Sequence, residues 1–188
     1  MPAEQSWSPI PMLFTIGHST LTLDTFIQLL VVSKVTLLVD VRTIPRSRHN
    51  PQFNIETLPA ELLRSGIEYM HLKSLGGLRR ARCDSVNAGW ENASFQGYAD
   101  YMQTPSFEAA LQKLIDATQN EKATIMCAEA VPWRCHRLLI ADALTVRGIQ
   151  VRHILSAASI KLHSVTAMAQ IDGTRITYPR QPGQMAHS

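Results

Sequence analysis

Five side chains with reactive or charged groups are concentrated near position 130 of the sequence. They are Cys127, Glu129, Cys135, His136 and Arg137. A cysteine close to cationic groups ionises more readily, and the thiolate is its nucleophilic form. Histidine and glutamate can transfer protons, while arginine binds planar anions such as phosphate or carboxylate through paired hydrogen bonds. This combination predicts thiol chemistry on an anionic substrate.

A second set of polar residues follows two apolar segments in the N-terminal part of the chain. They are His18, Ser19, Asp40, Arg42 and Arg48. Side chains that follow strands of a parallel sheet collect at one edge, where such sheets bind their ligands. The sequence therefore predicts one site, with catalysis assigned to His18, Cys127, Glu129 and His136, and substrate binding assigned to Ser19, Asp40, Arg42, Arg48, Cys135 and Arg137. It assigns no residue to a metal and specifies no cofactor.

Several of these residues also have a purely structural interpretation. Cys127 ends an apolar run and could be a core thiol, because cysteine is often buried. Glu129 could simply pair with an arginine, and Asp40 could pair with Arg42, since alternate residues of a strand point to one face. His71 could equally be a buried core histidine.

The sequence lacks residues that two familiar motifs need at fixed positions. A phosphatase-type loop needs an arginine six positions after its cysteine, but Trp133 stands there and Arg134 comes one position late. Cys127, Cys135 and His136 match no usual zinc spacing, and a fourth ligand would have to come from His18 or His71. Neither a phosphatase nor an ordinary zinc site is therefore indicated by spacing.

Hydrophobic periodicity predicts alternating strands and helices. Strands are expected at residues 12–16, 35–41, 67–72, 123–127 and 151–155, and helices at residues 23–31, 55–65, 95–103, 105–115 and 135–147. Thr22 and Thr104 are expected to cap two of these helices. This order predicts a single α/β domain, with an open, mostly parallel, Rossmann-like sheet of about five strands and helices on both faces.

The predicted domain covers residues 12–155, between an N-terminal extension at 1–11 and a partly ordered C-terminal extension at 156–188. The chain has 188 residues, 45% hydrophobic and 18% charged, which is enough to form a core. Three cysteines in no regular spacing argue against a secreted disulfide scaffold. With no signal peptide and no long apolar run, we expect a cytoplasmic protein without membrane contact.

Several short motifs together resemble the bacterial and archaeal family known as domain of unknown function 488. They are Gly17-His18-Ser19, Asp40-Val41-Arg42, Leu75-Gly76-Gly77, Met126-Cys127-Ala128-Glu129 and Cys135-His136-Arg137. The resemblance extends over about residues 12–155 and implies the same α/β fold. It supports grouping these residues as signature positions, but it implies no particular substrate.

Three functions remain open at this point. The first is a small enzyme acting on an anionic, phosphate-bearing, nucleotide-like or nucleic-acid-derived substrate. The second is a nucleic-acid-binding module without catalysis, built from arginines and aromatic residues: Arg42, Arg46, Arg48, Arg79, Arg80, Arg82, Trp90, Phe95 and Tyr98. The third is a zinc-binding or redox-thiol protein in which Cys127 and Cys135 act together. A net charge of +3 does not separate them, and the sequence leaves the oligomeric state undefined.

Overall fold

The computed structural model of the chain describes residues 11–119 and 121–180. Residues 1–10 of the expected N-terminal extension and residues 181–188 of the expected C-terminal extension lie outside the described residues. In the described part, a six-stranded sheet forms the centre of an α/β fold. Its order along the sheet is β3-β2-β4-β1-β5-β6, and a separate two-stranded sheet consists of β7 and β8.

The eight strands are short and mostly apolar. They are β1 (Met12–Gly17), β2 (Leu37–Asp40), β3 (Glu68–His71), β4 (Ala123–Cys127), β5 (Gln150–Ser156), β6 (Ser159–Leu162), β7 (Gln170–Asp172) and β8 (Arg175–Thr177). The first five pair in parallel, and β6 pairs antiparallel to β5. Every residue of β2 and β4 is buried, as expected for central strands covered on both faces.

Five α-helices connect the parallel strands. They are α1 (Leu23–Val32), α2 (Leu58–Arg64), α3 (Ala93–Tyr101), α4 (Pro105–Thr118) and α5 (Arg137–Thr145). Both expected caps are confirmed: the side chain of Thr22 accepts from the N–H of Thr25, and that of Thr104 accepts from the N–H of Phe107. Each cap satisfies a backbone donor that the first helical turn leaves free.

The helices lie on both faces of the sheet, as the sequence predicts. Alternate strand residues point to opposite faces, so neighbouring positions of β2 belong to different cores. Leu38 packs in a cluster with Phe26 of α1 and Leu62 of α2. Val39, the next residue, packs in the other cluster, with Tyr98 of α3 and Leu139 of α5 among its members.

Two features differ from the sequence-based prediction. The sheet has six strands rather than about five, because residues 159–162 return along β5 as its antiparallel edge strand. Helix α5 begins at Arg137 and not at Cys135, which has an extended backbone after the 3-10 turn Pro132–Arg134. Proline favours the first turn of a helix, but this turn closes after three residues before the α-helix begins.

The segment after β5 contributes buried residues to the domain. Tyr178 is fully buried, and its hydroxyl donates a hydrogen bond to Asp142 Oδ2 at 2.8 Å. The N–H of Tyr178 also donates to Asn87 Oδ1 at 2.9 Å. The C-terminal segment, predicted as a partly ordered extension, therefore packs against both α5 and the loop before α3.

We expect Tyr178→Phe to lower the free energy of unfolding by roughly 1–2 kcal/mol, because the buried Asp142 carboxylate loses one donor. Urea denaturation of the full chain measures this change. The matched variant Tyr101→Phe removes a solvent-exposed hydrogen bond to Ser74 O and should cost less than about 0.5 kcal/mol. Equal effects of the two variants would contradict the described packing of Tyr178.

Candidate active site

The carboxyl ends of β1, β4 and β2 meet at one edge of the sheet because β4 lies between the other two strands. Gly17 at the end of β1 is paired with Cys127 at the end of β4, and Asp40 of β2 is paired with Met126. The pairing continues past β1, where the N–H of Ser19 donates to Ala128 O at 2.8 Å. Most of the predicted site residues are therefore anchored to one edge.

Two thiols and one imidazole form the centre of this edge. Cys127 Sγ and Cys135 Sγ lie 3.9 and 3.6 Å from His136 Nδ1. The 3-10 turn at Pro132–Arg134 folds the chain back, so that Cys135 returns to the end of β4. We call these three residues the thiol–imidazole cluster.

The imidazole of His136 is held in one orientation by the backbone of β2. Its Nε2 lies 3.2 Å from the carbonyl oxygen of Val41, which can only accept a hydrogen bond. Nε2 therefore carries a proton, and the Nδ1 lone pair of the neutral ring faces the two sulfurs. On its faces, the ring contacts Tyr98, whose ring centroid is 5.0 Å away, and the backbone of Gly77.

The two sulfurs have unequal surroundings, which shift their pKa values in opposite directions. A hydrogen bond with Cys135 and burial raise the pKa of Cys127 well above its usual value. Burial also raises the pKa of Cys135, but the hydrogen bond from Cys127 and the contact with His136, once its Nδ1 has taken a proton, outweigh this effect and lower it. The backbone N–H of Arg137 adds a 3.5 Å contact to Cys135 Sγ. Of the two thiols, Cys135 is therefore the one that ionises more readily.

The thiol–imidazole cluster opens into a surface cavity of about 320 Å³. All three of its residues line this cavity, together with Arg42, Thr43, Ile44, Gly77, Leu78, Ser94, Phe95, Ala128, Glu129 and Arg134. A second cavity of about 260 Å³ shares Arg42, Ile44 and Ala128 with the first. The two cavities are adjacent parts of one cleft, and the largely buried Cys127 and Cys135 line its first part.

Arg42 lies between the two cavities and is largely occupied by protein acceptors. Its Nε and Nη2 donate to the Asp40 carboxylate at 2.9 and 2.6 Å, and Nη2 also donates to Phe53 O. Nη1 donates to His18 Nε2 at 3.3 Å. A guanidinium has five N–H groups, so one hydrogen on Nη1 remains for a ligand in the cleft.

His18 orients Arg42 and lies apart from the thiols. Its Nδ1 is 2.9 Å from the carbonyl oxygen of Ser19 and must be the protonated nitrogen, which leaves Nε2 to accept from Arg42. Burial, assisted by the nearby Arg42 and Arg137 charges, lowers the pKa of His18 to about 4. The ring is thus neutral at physiological pH, and stacking on Phe53 at 4.3 Å fixes its plane.

Arg137 is buried behind the site rather than exposed in the cleft. Its side chain is 1% exposed, and Nη2 donates to the backbone oxygen of Glu129 at 2.5 Å. This bond holds the loop after β4 against the end of β1, where Gly17 approaches too closely to allow any side chain. Arg137 therefore shapes the loop that carries the predicted site residues.

A chain of buried hydrogen bonds links Arg137 to a carboxylate. Arg137 Nη1 donates to Thr15 Oγ1 at 3.3 Å, and this hydroxyl donates to His153 Nδ1 at 2.8 Å. His153 Nε2 then donates to His163 Nδ1 at 3.0 Å, and His163 Nε2 donates to Asp142 at 2.8 Å. In each of these hydrogen bonds the donor lies on the Arg137 side and the acceptor on the Asp142 side. Asp142 therefore acts as a distant counterion for Arg137.

The remaining predicted residues differ in which cavity they line. The exposed side chain of Glu129 lines the cavity with the thiols, whereas Ser19 lines the second cavity. Arg48 is exposed and lines neither of these two cavities. Arg134, absent from the predicted set, is exposed and lines the first cavity; its place in the loop between Cys127 and Cys135 was the available signal.

Most arginine side chains of the arginine-rich loops contact acidic or aromatic side chains of the same chain. Arg46 pairs with Glu56, and Arg82 pairs with Asp84. The guanidinium of Arg79 lies 3.6 Å above the ring centroid of Tyr101. The aromatic residues proposed for base stacking pack on each other and on the core: Trp90 lies 4.8 Å from Phe95, which is 8% exposed, and Tyr98 is fully buried.

The fold and this cleft define an α/β protein with a thiol–imidazole centre at the carboxyl edge of a parallel sheet. A family model described as "Domain of unknown function DUF488" matches residues 22–144, which is more than half of the chain. The protein therefore belongs to the DUF488 family, as its motifs predict. No curated protein and no solved structure matches the chain significantly.

In the described part of the chain, every helix is too short or too polar to cross a lipid bilayer. The longest of them, α4, has 14 residues, and a span needs about 20.

We expect Gly77→Ala to lower the free energy of unfolding by roughly 1–3 kcal/mol, because a Cβ there would lie 2.8 and 2.9 Å from carbons of the His136 ring. Chemical denaturation measures the change. Leu78→Ala, at the neighbouring and 73% exposed position, should change stability by less than about 0.5 kcal/mol. If Gly77→Ala were as stable as the parent protein, the close packing of His136 would be refuted.

The buried histidines predict a loss of stability in mild acid. Burial lowers the pKa of both His18 and His153 to about 4, whereas an unfolded histidine titrates near 6.5. Between these values the unfolded state binds more protons, so stability falls as the pH decreases from 6.5 towards 5. Each histidine contributes at most about 1.4 kcal/mol per pH unit. His18→Gln should reduce this slope in denaturation curves, and an unchanged slope would contradict the prediction.

Proposed function

We propose that this protein is an enzyme that transforms an anionic small molecule in the cleft above the thiol–imidazole cluster. The observation that carries this proposal is the presence of two sulfurs and an imidazole within 3.9 Å at an open cavity that arginines also line. A nucleophile, a proton carrier and anion-binding groups within one cavity are the elements of covalent catalysis.

The composition of the cavity favours a substrate with both charged and apolar parts. Arg134 and the free Nη1 hydrogen of Arg42 supply positive charge for a phosphate or carboxylate. Ile44, Leu78 and Phe95 provide an apolar wall on the same cavity. We infer an anionic group attached to an aromatic or aliphatic body, a description that includes nucleotide-like molecules.

The contacts around the two sulfurs favour Cys135 as the nucleophile, whereas sequence reasoning favours Cys127. The Cys135 sulfur is 3.6 Å from His136 Nδ1, which can take the thiol proton and then donate a hydrogen bond to the thiolate, and the N–H of Arg137 donates to the same sulfur. Cys127 then donates its S–H to this thiolate. Glu129, exposed in the same cavity, can exchange protons with solvent.

The proposed reaction is a displacement at an electrophilic carbon or phosphorus atom of the substrate. The thiolate forms a bond to this atom while the bond to the leaving group breaks with its electron pair. His136, after taking a thiol proton on Nδ1, returns it to the leaving group. Water, or another acceptor in a transferase, then cleaves the covalent intermediate and regenerates the thiol. Such chemistry needs reduced cysteines, so we infer a reducing compartment such as the cytoplasm.

The contacts of the arginine-rich loops favour this enzyme over a nucleic-acid-binding module. A polyanion site needs several unpaired cations on one surface, with exposed aromatic rings for base stacking. Arg46 and Arg82 have carboxylate partners instead, and Tyr98 is fully buried. The nucleic-acid alternative therefore has weaker support.

Competing alkylation by iodoacetate and iodoacetamide tests both the nucleophile and the anion site. We expect Cys135 in the reduced, metal-free protein to react faster than the exposed Cys83. We also expect Cys135 to prefer the anionic reagent by about tenfold relative to Cys83, because arginines line its cavity. Peptide mass spectrometry measures the modification rate of each cysteine in one sample.

The variant Arg134→Gln should remove most of this preference, while Arg64→Gln, an exposed arginine on α2, should leave it unchanged. The protein is then screened for turnover of phosphate and carboxylate esters. Cys135→Ser should abolish any turnover found, and Cys83→Ser should not change it. The proposal fails if Cys135 reacts no faster than Cys83 and shows no preference for the anionic reagent.

A further inference from the structure

We propose that Cys127, Cys135 and His136 form a site for one Zn²⁺ ion, with its fourth coordination position open to the cleft. The ligand atoms of these three residues all lie within 4.8 Å of one another. Zinc commonly takes cysteine sulfur and histidine nitrogen in a tetrahedral arrangement. Two sulfurs and an imidazole form a soft ligand set that excludes Mg²⁺ and Ca²⁺, which prefer oxygen.

The two sulfur–nitrogen distances within the cluster match the edges of a zinc tetrahedron. With Zn–S near 2.3 Å and Zn–N near 2.05 Å, tetrahedral angles place sulfur and nitrogen about 3.6 Å apart. Cys135 Sγ is 3.6 Å and Cys127 Sγ is 3.9 Å from His136 Nδ1. These two distances fit the tetrahedron to within about 0.3 Å, and the two sulfurs lie within 4.8 Å of each other.

The groups around these residues are those that support zinc ligands. A zinc-bound histidine usually donates its other ring N–H to a backbone oxygen or carboxylate, as His136 Nε2 does to Val41 O at 3.2 Å. Cys135 Sγ also receives the backbone N–H of Arg137 at 3.5 Å. These bonds orient His136 and Cys135 before any metal arrives.

The ordinary spacing rules miss this site because the ligands come from an unusual backbone path. Familiar zinc motifs place two cysteines a few residues apart in one turn. Here the ligands come from the end of β4 and from the residues after a 3-10 turn, with seven residues between the two cysteines. Neither His18 nor His71 belongs to the group, since their Nε2 atoms contact Arg42. Three protein ligands leave one position for water or an anionic ligand.

The effect of zinc on activity, unlike zinc binding itself, rests on the proposed function. Bound zinc uses both sulfurs as ligands, so the metal and the thiol nucleophile exclude each other. Zinc would then be a reversible regulator that blocks the thiolate, and its release would restore the nucleophile. The binding site itself does not depend on that consequence.

Titration of the reduced full-length protein with Zn²⁺, in competition with a chromophoric chelator, tests the site. We expect one ion per chain, and an association constant lowered by roughly 100-fold or more in Cys127→Ser, Cys135→Ser and His136→Gln. Cys83→Ser replaces the exposed cysteine outside the group and should bind as the parent protein does. Equal binding by all four variants, or no stoichiometric binding, would overturn the proposal.

Alkylation of the unmodified protein gives a second test that needs no folded variant. Zn²⁺ should slow the modification of Cys127 and Cys135 by at least tenfold and leave that of Cys83 unchanged, whereas equal protection of all three would overturn the proposal. The two proposals fail separately. Fast, anion-selective alkylation of Cys135 without zinc binding would refute only the metal site. Zinc binding with slow alkylation of the metal-free protein would refute only the nucleophile.

Discussion

The hydrogen bond between His136 Nε2 and Val41 O determines the chemistry of the cleft. It joins the residue before α5 to the end of β2 and specifies which ring nitrogen is protonated. The other nitrogen must then face the sulfurs of Cys127 and Cys135, 3.9 and 3.6 Å away. A ring with the opposite tautomer could neither accept a thiol proton on Nδ1 nor bind a metal there.

The sheet order makes this bond possible. Because β4 lies between β1 and β2, the chain leaving β4 passes the ends of both neighbours. The buried Arg137 draws the loop after β4 towards β1 through Glu129 O, and its charge is balanced through a hydrogen-bonded chain that ends at Asp142. The site is thus supported on one side by β2 and on the other by a polar network inside the fold.

The sequence predicts the elements of this architecture better than the roles of its residues. Apolar runs and threonine caps locate the strands and helices, since these signals are local. The return of residues 159–162 as β6 is not predicted, because this four-residue strand contains only two apolar residues, Ile160 and Leu162, too few to define a period. Pairing with β5 rather than periodicity defines this strand.

Within the site, the grouping of Cys127, Cys135 and His136 near one edge follows from the strand ends. The partners of Arg42 and Arg137 do not, because they depend on contacts such as those with Phe53 O and Thr15 that are remote in sequence. Most N–H groups of these two guanidiniums donate to acceptors within the protein. Arg134 is instead exposed at the cavity, consistent with its position in the loop between the two cysteines.

Nitrogen-15 NMR of the histidine side chains measures the ring state on which both the nucleophile and the metal site depend. In the reduced, metal-free protein near neutral pH, we expect the Nε2 nitrogen of His136 to carry a proton, because Val41 O accepts it. His136→Gln identifies its signals by their disappearance. A neutral ring protonated on Nδ1, or a rapid exchange between the two forms, would contradict the account of this cleft.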